Sequence, residues 1–567
     1  MKKLIIIIIL LFPVFAFADD WYVTSAGAGS RNGSSLSNAW SVSDFNALTG
    51  TGYAGDTFYF SGAISSEIEP QIIGTVGGGY VTLDGYEAGD YDAIGEGSDG
   101  QSVITLSASE FAFTLWKSAY GENNGKDYLI IQDFEITGGS AIYAAEDCDH
   151  IIVRRNFVHD VPYNGMYFGY SSTYSNGNNY ITVGGAPGDG NVVKNVGTTT
   201  AHGDINFGRG NDIIISYNHL YATPGDRGID GIILNHDTYN VLIEYNSIHS
   251  HNDNSGDKGE DGIDIKDDSR TGGCYDIIVR YNHVYDHQYQ STVNIQTVSH
   301  YIYVYGNSLH DSNWGGVYIY EGGNGIGGAP PVNNIWIFSN LIFDQRDVGS
   351  RVVSTEYGQD AHHIYYFNNT FSENGIDDHG DTFTHIQADI DPDNIEVKNN
   401  IFYKARIGYT SYQERMAYFH ESITDKSDMN YNQYHWPGKT STIYLNDTWA
   451  NAIGGHVGAE SNGAEGDPGL VDIDNNDYRI APGAAVIGAG LDIGSGAIAN
   501  VTIQGVVYPV YWDAALGPNT DFTGTDPSGW TIDKQRRDDH QWDIGAYIYT
   551  TGTSPPMPIV LRRHFLD

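Results

Sequence analysis

The chain is poor in several things at once. In 567 residues it has two cysteines, five methionines and 28 lysines and arginines against 71 aspartates and glutamates. After residue 18 it has no long apolar run. Each scarcity excludes a class. Two cysteines cannot staple a chain of this length, so a disulfide scaffold is ruled out. A formal charge of -43 rules against nucleic acid as a partner, because every phosphate would be repelled. Without a later stretch of about 20 apolar residues, no transmembrane segment is expected in the mature chain. Residues 1-18 themselves read as a secretory signal: Lys2 and Lys3, an apolar run from Leu4 to Phe12, then Ala16, Phe17 and Ala18 as a small-x-small cleavage site. Losing the two lysines takes the charge from -43 to about -45. The sequence therefore predicts an exported chain, secreted, periplasmic or at the cell surface, beginning near Asp19.

What the chain has in abundance is one short phrase, a β-rich run followed by asparagine, two residues and a His or aromatic. Copies read HIIVRRNFVH at 150-159, DIIISYNHLY at 212-221, NVLIEYNSIH at 240-249, DIIVRYNHVY at 276-285, YIYVYGNSLH at 301-310, NIWIFSNLIF at 334-343, HIYYFNNTFS at 363-372 and NIEVKNNIFY at 394-403. NVVKNVG at 191-197 fits as a degenerate copy centred on Asn195. One such unit cannot bury its own apolar face and must stack on the next. The runs are Val/Ile/Tyr-rich with period two, which argues for strands rather than a helical solenoid. The motif stays fixed while its spacing varies, as when loops of different length hang from the turns of a β-helix. The expected fold is all-β, a right-handed parallel β-helix.

The repeated asparagines, Asn156, Asn195, Asn218, Asn246, Asn282, Asn307, Asn340, Asn369 and Asn400, are assigned to structure. Asparagine tolerates the left-handed region at a corner, and stacked amides can bond along the axis. Cys148 and Cys274 precede their strands by a similar offset; with about four rungs between them they lie about 19 Å apart, too far for a disulfide.

The expected organisation is a signal at 1-18, an N-terminal cap and first strand at 19-60, the parallel β-helix at 61-405, irregular C-terminal rungs and a closing segment at 406-550, and an exposed tail at 551-567. Residues 20-48 resemble the opening of many secreted β-helix proteins, with one strand, a Gly/Ser turn and a short capping helix. Residues 467-490, together with Asp543 to Tyr547, resemble their closing rung.

A second strand in each rung follows a polar-Gly-apolar-x-apolar-x pattern: Asn164-GMYFG, Gly203-DINFG, Asp230-GIILN, Asp261-GIDIK, Ser291-TVNIQ and Gly315-GVYIY. Alternation sends Ile232, Leu234, Ile263, Ile265, Val293, Ile295, Val317 and Ile319 inward. The residues between them form columns predicted to face solvent. One reads Tyr167, Asn206, Ile233, Asp264, Asn294, Tyr318; the next includes Asn235, Lys266, Gln296 and Tyr320; a third places Asp230 below Asp261. With rungs about 4.8 Å apart, Asp230, Asp261 and Asp264, with Glu260 beside them, put carboxylates around one point. Such a cluster is repulsive alone, and a hard cation with oxygen ligands, calcium above all, resolves it. A solvated acidic face is the alternative in so acidic a chain.

Asp230-Gly231, followed one rung later by Glu260-Asp261-Gly262-Ile263-Asp264, resembles the calcium site of family 9 polysaccharide lyases, parallel β-helix enzymes that cleave pectate by β-elimination. The resemblance implies Asp230, Glu260, Asp261 and Asp264 as calcium ligands and an acidic polysaccharide as substrate. It also marks a departure. That family takes its catalytic base from a lysine in the column that here holds Asn294, so the candidate base becomes Lys266, in the neighbouring column; pairing of Lys266 with Asp264 or Asp267 is the alternative. Arg270 or Arg280 could bind a uronate carboxylate or pair with local aspartates, and Asn235, Asn294, Gln296, Tyr318 and Tyr320 are further substrate-binding candidates. Other readings stay open: a glycoside hydrolase using Asp264 with Asp267 or Asp268, and a non-catalytic glycan-binding or adhesion protein. The polygalacturonase Gly-His-Gly and Arg-Ile-Lys segments and the mannuronan-epimerase Asp-Pro-His-Asp segment are missing from the sequence.

Overall fold

A computed structural model describes residues 18-549, apart from 86-101, 116-125, 146, 170-176, 198-202, 224-229, 252-260, 267-272, 289, 297, 322-330, 355-360, 376-383, 389-392, 406-415, 420-426, 446-447, 453-459, 495, 523 and 538-541. The predicted signal at 1-18 and tail at 551-567 fall almost wholly outside these residues.

The apolar-and-asparagine phrase recurs as one rung of a right-handed parallel β-helix, whose strands stack into a 16-stranded first sheet and two 13-stranded sheets. One rung shows the path. Thr238–Glu244 lies in the first sheet, Ser247–His249 in the second after a two-residue corner, and Ile263–Ile265 in the third, before Tyr275–Arg280 starts the next rung on top of Thr238–Glu244. Inward residues of all three sheets form one continuous apolar core from Val23 to Ala452. The eight predicted inward residues of the third sheet, from Ile232 to Ile319, are all fully buried. At the N-terminal end a five-residue helix, Val42–Asn46, closes the core. Its Ser41 and Asp44 make a capping box, and Phe45 packs edge-on against Phe58 and Phe60 at 5.1 and 5.2 Å.

Asparagine does stack at the first corner, with two differences from expectation. The left-handed residue is the one before it, for example Arg155, Tyr217, Tyr245, Tyr281 and Ser339. This turns the asparagine side chain into the core, where each Oδ1 accepts from the backbone and side-chain amides of the rung before. Asn218 N and Nδ2, for instance, both donate to Asn246 Oδ1 at 3.0 Å. The ladder member between Asn156 and Asn218 is Asn191, and Asn195 is not in the ladder. Asn191 accepts from Asn156 and donates to Asn218, whereas Asn195 is the left-handed residue of the next corner (φ 54°) and bonds Asp160 and Thr223. The ladder continues through Asn400 to Asn432 and ends on the buried carboxylate of Glu460. A shorter polar column lines the second corner, where Ser312 N donates to Gln345 Oε1 at 2.9 Å and Gln345 N to Asn374 Oδ1 at 3.1 Å.

Rungs persist past residue 405, with Ser427–Asn430 added to the first sheet and Gln433–His435 and Ala464–Glu465 to the second. The chain then turns back along the outside of the first and second sheets as three antiparallel pairs: Leu470–Asp472 with Asp477–Ile480, Ala497–Ile503 with Val506–Tyr511, and Ala514–Leu516 with Lys534–Arg536. Residues 467-490 therefore lie beside the solenoid. The Ile503–Val506 turn reaches far down the stack, where Gln504 N donates to Asp212 Oδ1 and its side chain to Ile181 O. The cause is the outer face of the first sheet. Leu242, Ile278, Tyr303, Trp336, Tyr245 and Phe338 are apolar there and form a second core with Val501, Val510, Leu516 and Ile544.

Candidate functional site

The third sheet carries the acidic residues, and its register fixes their neighbours. Ile233, Asp264, Asn294 and Tyr318 are successive partners across four rungs, followed by Arg351 and Gln387. Asp230 and Asp261 stand at the starts of adjacent strands, Asp261 N donating to Asp230 Oδ1 at 2.7 Å. Asp230, Asp261 and Asp264 each offer an oxygen within 4.8 Å of the other two. The column does not face open solvent as expected: Asp264 is 1% exposed and Asn294 3%. Side chains stacked at rung spacing cover one another, and these are further tied together. Asp261 Oδ1 accepts from Ser291 N and Oγ (2.9 and 2.6 Å), and its Oδ2 accepts from Asn294 Nδ2 at 2.7 Å. Asp264 Oδ1 accepts from Gln296 Nε2 at 3.0 Å, while Oδ2 lies 2.6 Å from Lys266 Nζ.

Burial first, and then repulsion from Asp264, push the Asp261 carboxyl up to about 7 against the lowering effect of its Ser291 and Asn294 bonds. Three carboxylates buried this close repel one another, and Lys266 offsets part of that repulsion at Asp264. Ligand oxygens within 4.8 Å of one another suit a common calcium, whose bonds of about 2.3 to 2.6 Å span that separation.

Of the remaining candidates, Asn235 follows the Ile232–Leu234 strand and Tyr320 is the partner of Gln296. Glu260 and Arg270 lie outside the described residues. Arg280 is elsewhere. It projects from the first sheet, bonded to Glu244 at 2.7 Å and Tyr305 Oη at 2.9 Å, with its guanidinium over Tyr508 of the returning segment. An arginine opposite Glu244 in the register is consumed by that pair. Two residues not anticipated from sequence adjoin the column. Arg351 sits with its guanidinium 5.9 Å from the Tyr318 ring centre, and Trp314, 44% exposed, is 5.6 Å from the same ring. Extending the column one rung past Tyr318 would have found Arg351. Cys148 and Cys274 are buried free thiols, donating to Leu115 O and Lys266 O.

No helix among the described residues is long and apolar enough to cross a membrane. No family model matches the chain, and no curated protein matches it. Solved structures do resemble it at low identity. The A-module of mannuronan C-5 epimerase AlgE6 of Azotobacter vinelandii is 14% identical over 75% of this chain and 99% of its own, with a TM-score of 0.41. A lacto-N-biosidase from Eubacterium ramulus is 15% identical over 67% and 68%, TM-score 0.38. Pectate lyase Pel9A is 12% identical over 86% and 96%, TM-score 0.33.

Proposed function

We propose that this is an exported polysaccharide-active protein, and specifically a calcium-assisted lyase that cleaves an acidic glycan by β-elimination. The observation that carries the reading is the convergence of three buried carboxylates, Asp230, Asp261 and Asp264, with Lys266 directly against Asp264. These three, with Glu260, would hold calcium, which when bound would neutralise a uronate carboxylate and make its C5 proton more acidic. Lys266 would then take the C5 proton; the electron pair left behind forms the C4-C5 double bond, and the C4-O bond breaks to release the next sugar. Asn294, Gln296 and Tyr318 lie in the same and adjacent columns, where they can position the ring. Arg351, paired with Asp347 at 3.9 Å, stands one rung beyond Tyr318 in the same column.

The 2.6 Å contact of Lys266 with Asp264 favours a second reading, in which the lysine only balances charge and the protein binds glycan without cleaving it. Absorbance at the unsaturated-uronide band separates the two. With pectate or alginate and calcium, the lyase reading expects new absorbance that chelator abolishes and Lys266→Ala removes. New reducing ends without that band would show hydrolysis, and neither signal on any polyuronate would leave binding alone.

A further inference from the structure

One corner beyond the acidic cluster, where third-sheet strands hand over to the first sheet, lies a cleft of about 390 Å³ lined by Gly177, Asn179, Arg209, Asn211, Asp237 and Tyr239. Its volume falls in the range of about 300 to 1,000 Å³ common for ligand sites. Its lining is ordered by the strand register. Asn179, Asn211, Tyr239 and Tyr275 are successive partners at the starts of four first-sheet strands, giving two amides and then two rings in one row. The amides are bonded to each other, Asn211 Nδ2 to Asn179 Oδ1. The rings stack at 4.7 Å and 2°, which holds Tyr239 in a fixed plane. Arg209 and Asp237 are paired at 2.6 Å, with 19% and 33% of their side chains exposed, so the charges of the described lining residues cancel while their donors and acceptors stay accessible. A β-carbon on Gly177 would come 2.9 Å from the Gly210 backbone, so glycine there lets the two chains approach closely.

We propose that this cleft is a binding subsite for an uncharged sugar ring, packed against the edge of the Tyr239 ring and held through its hydroxyls by Asn179, Asn211 and the Arg209–Asp237 pair. A flat ring beside planar amides and a paired guanidinium and carboxylate matches a hydroxyl-rich pyranose, whose ring face is apolar and whose edge is polar. A lone anion would instead meet the Asp237 carboxylate. The subsite also has a place relative to the acidic cluster. Asp237 is four residues beyond Ile233, the partner of Asp264 on the next rung, so the chain limits their separation to about 14 Å plus one rung. A glycan of a few sugars can reach both. Resting on the lyase reading, the inference deepens it: the substrate carries neutral sugars alongside its uronates.

Affinity electrophoresis of the full chain tests this, in gels containing xylan, galactan or glucomannan, rhamnogalacturonan with alternating neutral and acidic sugars, polygalacturonate, or alginate, each run with chelator to silence the acidic cluster. Retardation is expected in at least one gel that contains neutral sugars. Tyr239→Ala should weaken it about tenfold, Asp237→Asn should weaken it too, and Tyr239→Phe, which keeps the ring, should retain it. Matching thermal melts show that each variant is folded. Retardation in no gel, or only in the all-uronate gels, or equal retardation of Tyr239→Ala and the parent, would overturn the subsite. The lyase reading is judged separately, by the unsaturated-uronide band in the presence of calcium.

Discussion

Asn282 accepts at Oδ1 from both the backbone and side-chain amides of Asn246, and its own Nδ2 donates to Ile243 O and Asn307 Oδ1, all at 3.0 Å. Removing any member of this buried ladder leaves unpaired polar groups on both sides, at about 1 to 3 kcal/mol for each buried group. Asn191→Ala is therefore expected to cost about 3 kcal/mol and Asn195→Ala, at a corner with fewer buried partners, about 1 kcal/mol; equilibrium denaturation of the two variants measures the difference. The phrase in the sequence showed that an asparagine ladder exists. In NVVKNVG, however, two asparagines compete, and only the step to the following strand distinguishes the one facing the core.

The last member of the ladder titrates. Glu460, 2% exposed, accepts from Asn432 Nδ2 at 2.6 Å and Tyr434 Oη at 2.8 Å. Burial nevertheless raises its carboxyl from 4.5 to about 7. Because the folded form binds the proton more tightly than the unfolded chain, stability from this group is fully present below pH 4.5 and lost as pH rises through about 7. The loss is on the order of 3 kcal/mol. Melting temperatures of the parent and Glu460→Gln between pH 4.5 and 8 should diverge, with the glutamine variant gaining relative stability as pH rises. Parallel curves would mean that the carboxylate stays ionised in the fold.

At the scale of elements, the first sheet is covered on its outer face from Leu242 to Phe367. Its strands read as near-continuous apolar runs, IIIS at 213-216 and IIVR at 277-280, the pattern of strands covered twice. That pattern signals an outer cover, though not which segment supplies it, because residues 470-549 pair locally as hairpins and reach the sheet through contacts distant in sequence. The second sheet shares that cover: Phe343 packs on Tyr478, and His283, whose Nε2 lies 2.8 Å from His310 Nε2, packs on Phe522 and Trp530. Leu516 is fully buried in the second core. Leu516→Asp is expected to free the returning segment from the solenoid, giving faster proteolysis within 470-549 and dye binding to exposed aromatic surface, while far-UV circular dichroism stays that of the β-helix. Global loss of that spectrum would show that the solenoid depends on its cover.

At the scale of the molecule, a ladder of strands about 4.8 Å apart converts distant sequence positions into a surface. Asp230, Asp261 and Asp264 could be placed together from the sequence because the Gly-containing strands share one register, and the pairing of Ile232 with Ile263 and of Ile233 with Asp264 shows that register. What could not be read was burial and partner choice. Arg280 is taken by Glu244, and Arg351 enters the column from a rung whose strand, VGSRVVS, lacks the polar-Gly-apolar pattern. The uncharged cleft at Tyr239 was invisible for a further reason: its walls come from turns of different length in three rungs. The acidic surface as a whole will attract cations weakly and without specificity, whereas the Asp230, Asp261 and Asp264 cluster is expected to hold one calcium tightly.

Calorimetric calcium titration of the full chain separates that site from the background. One site is expected to stand above the weak background and to be weakened about tenfold or more in each of Asp230→Asn, Asp261→Asn and Asp264→Asn, with each variant still folded. Calcium binding left unchanged by all three substitutions would contradict it.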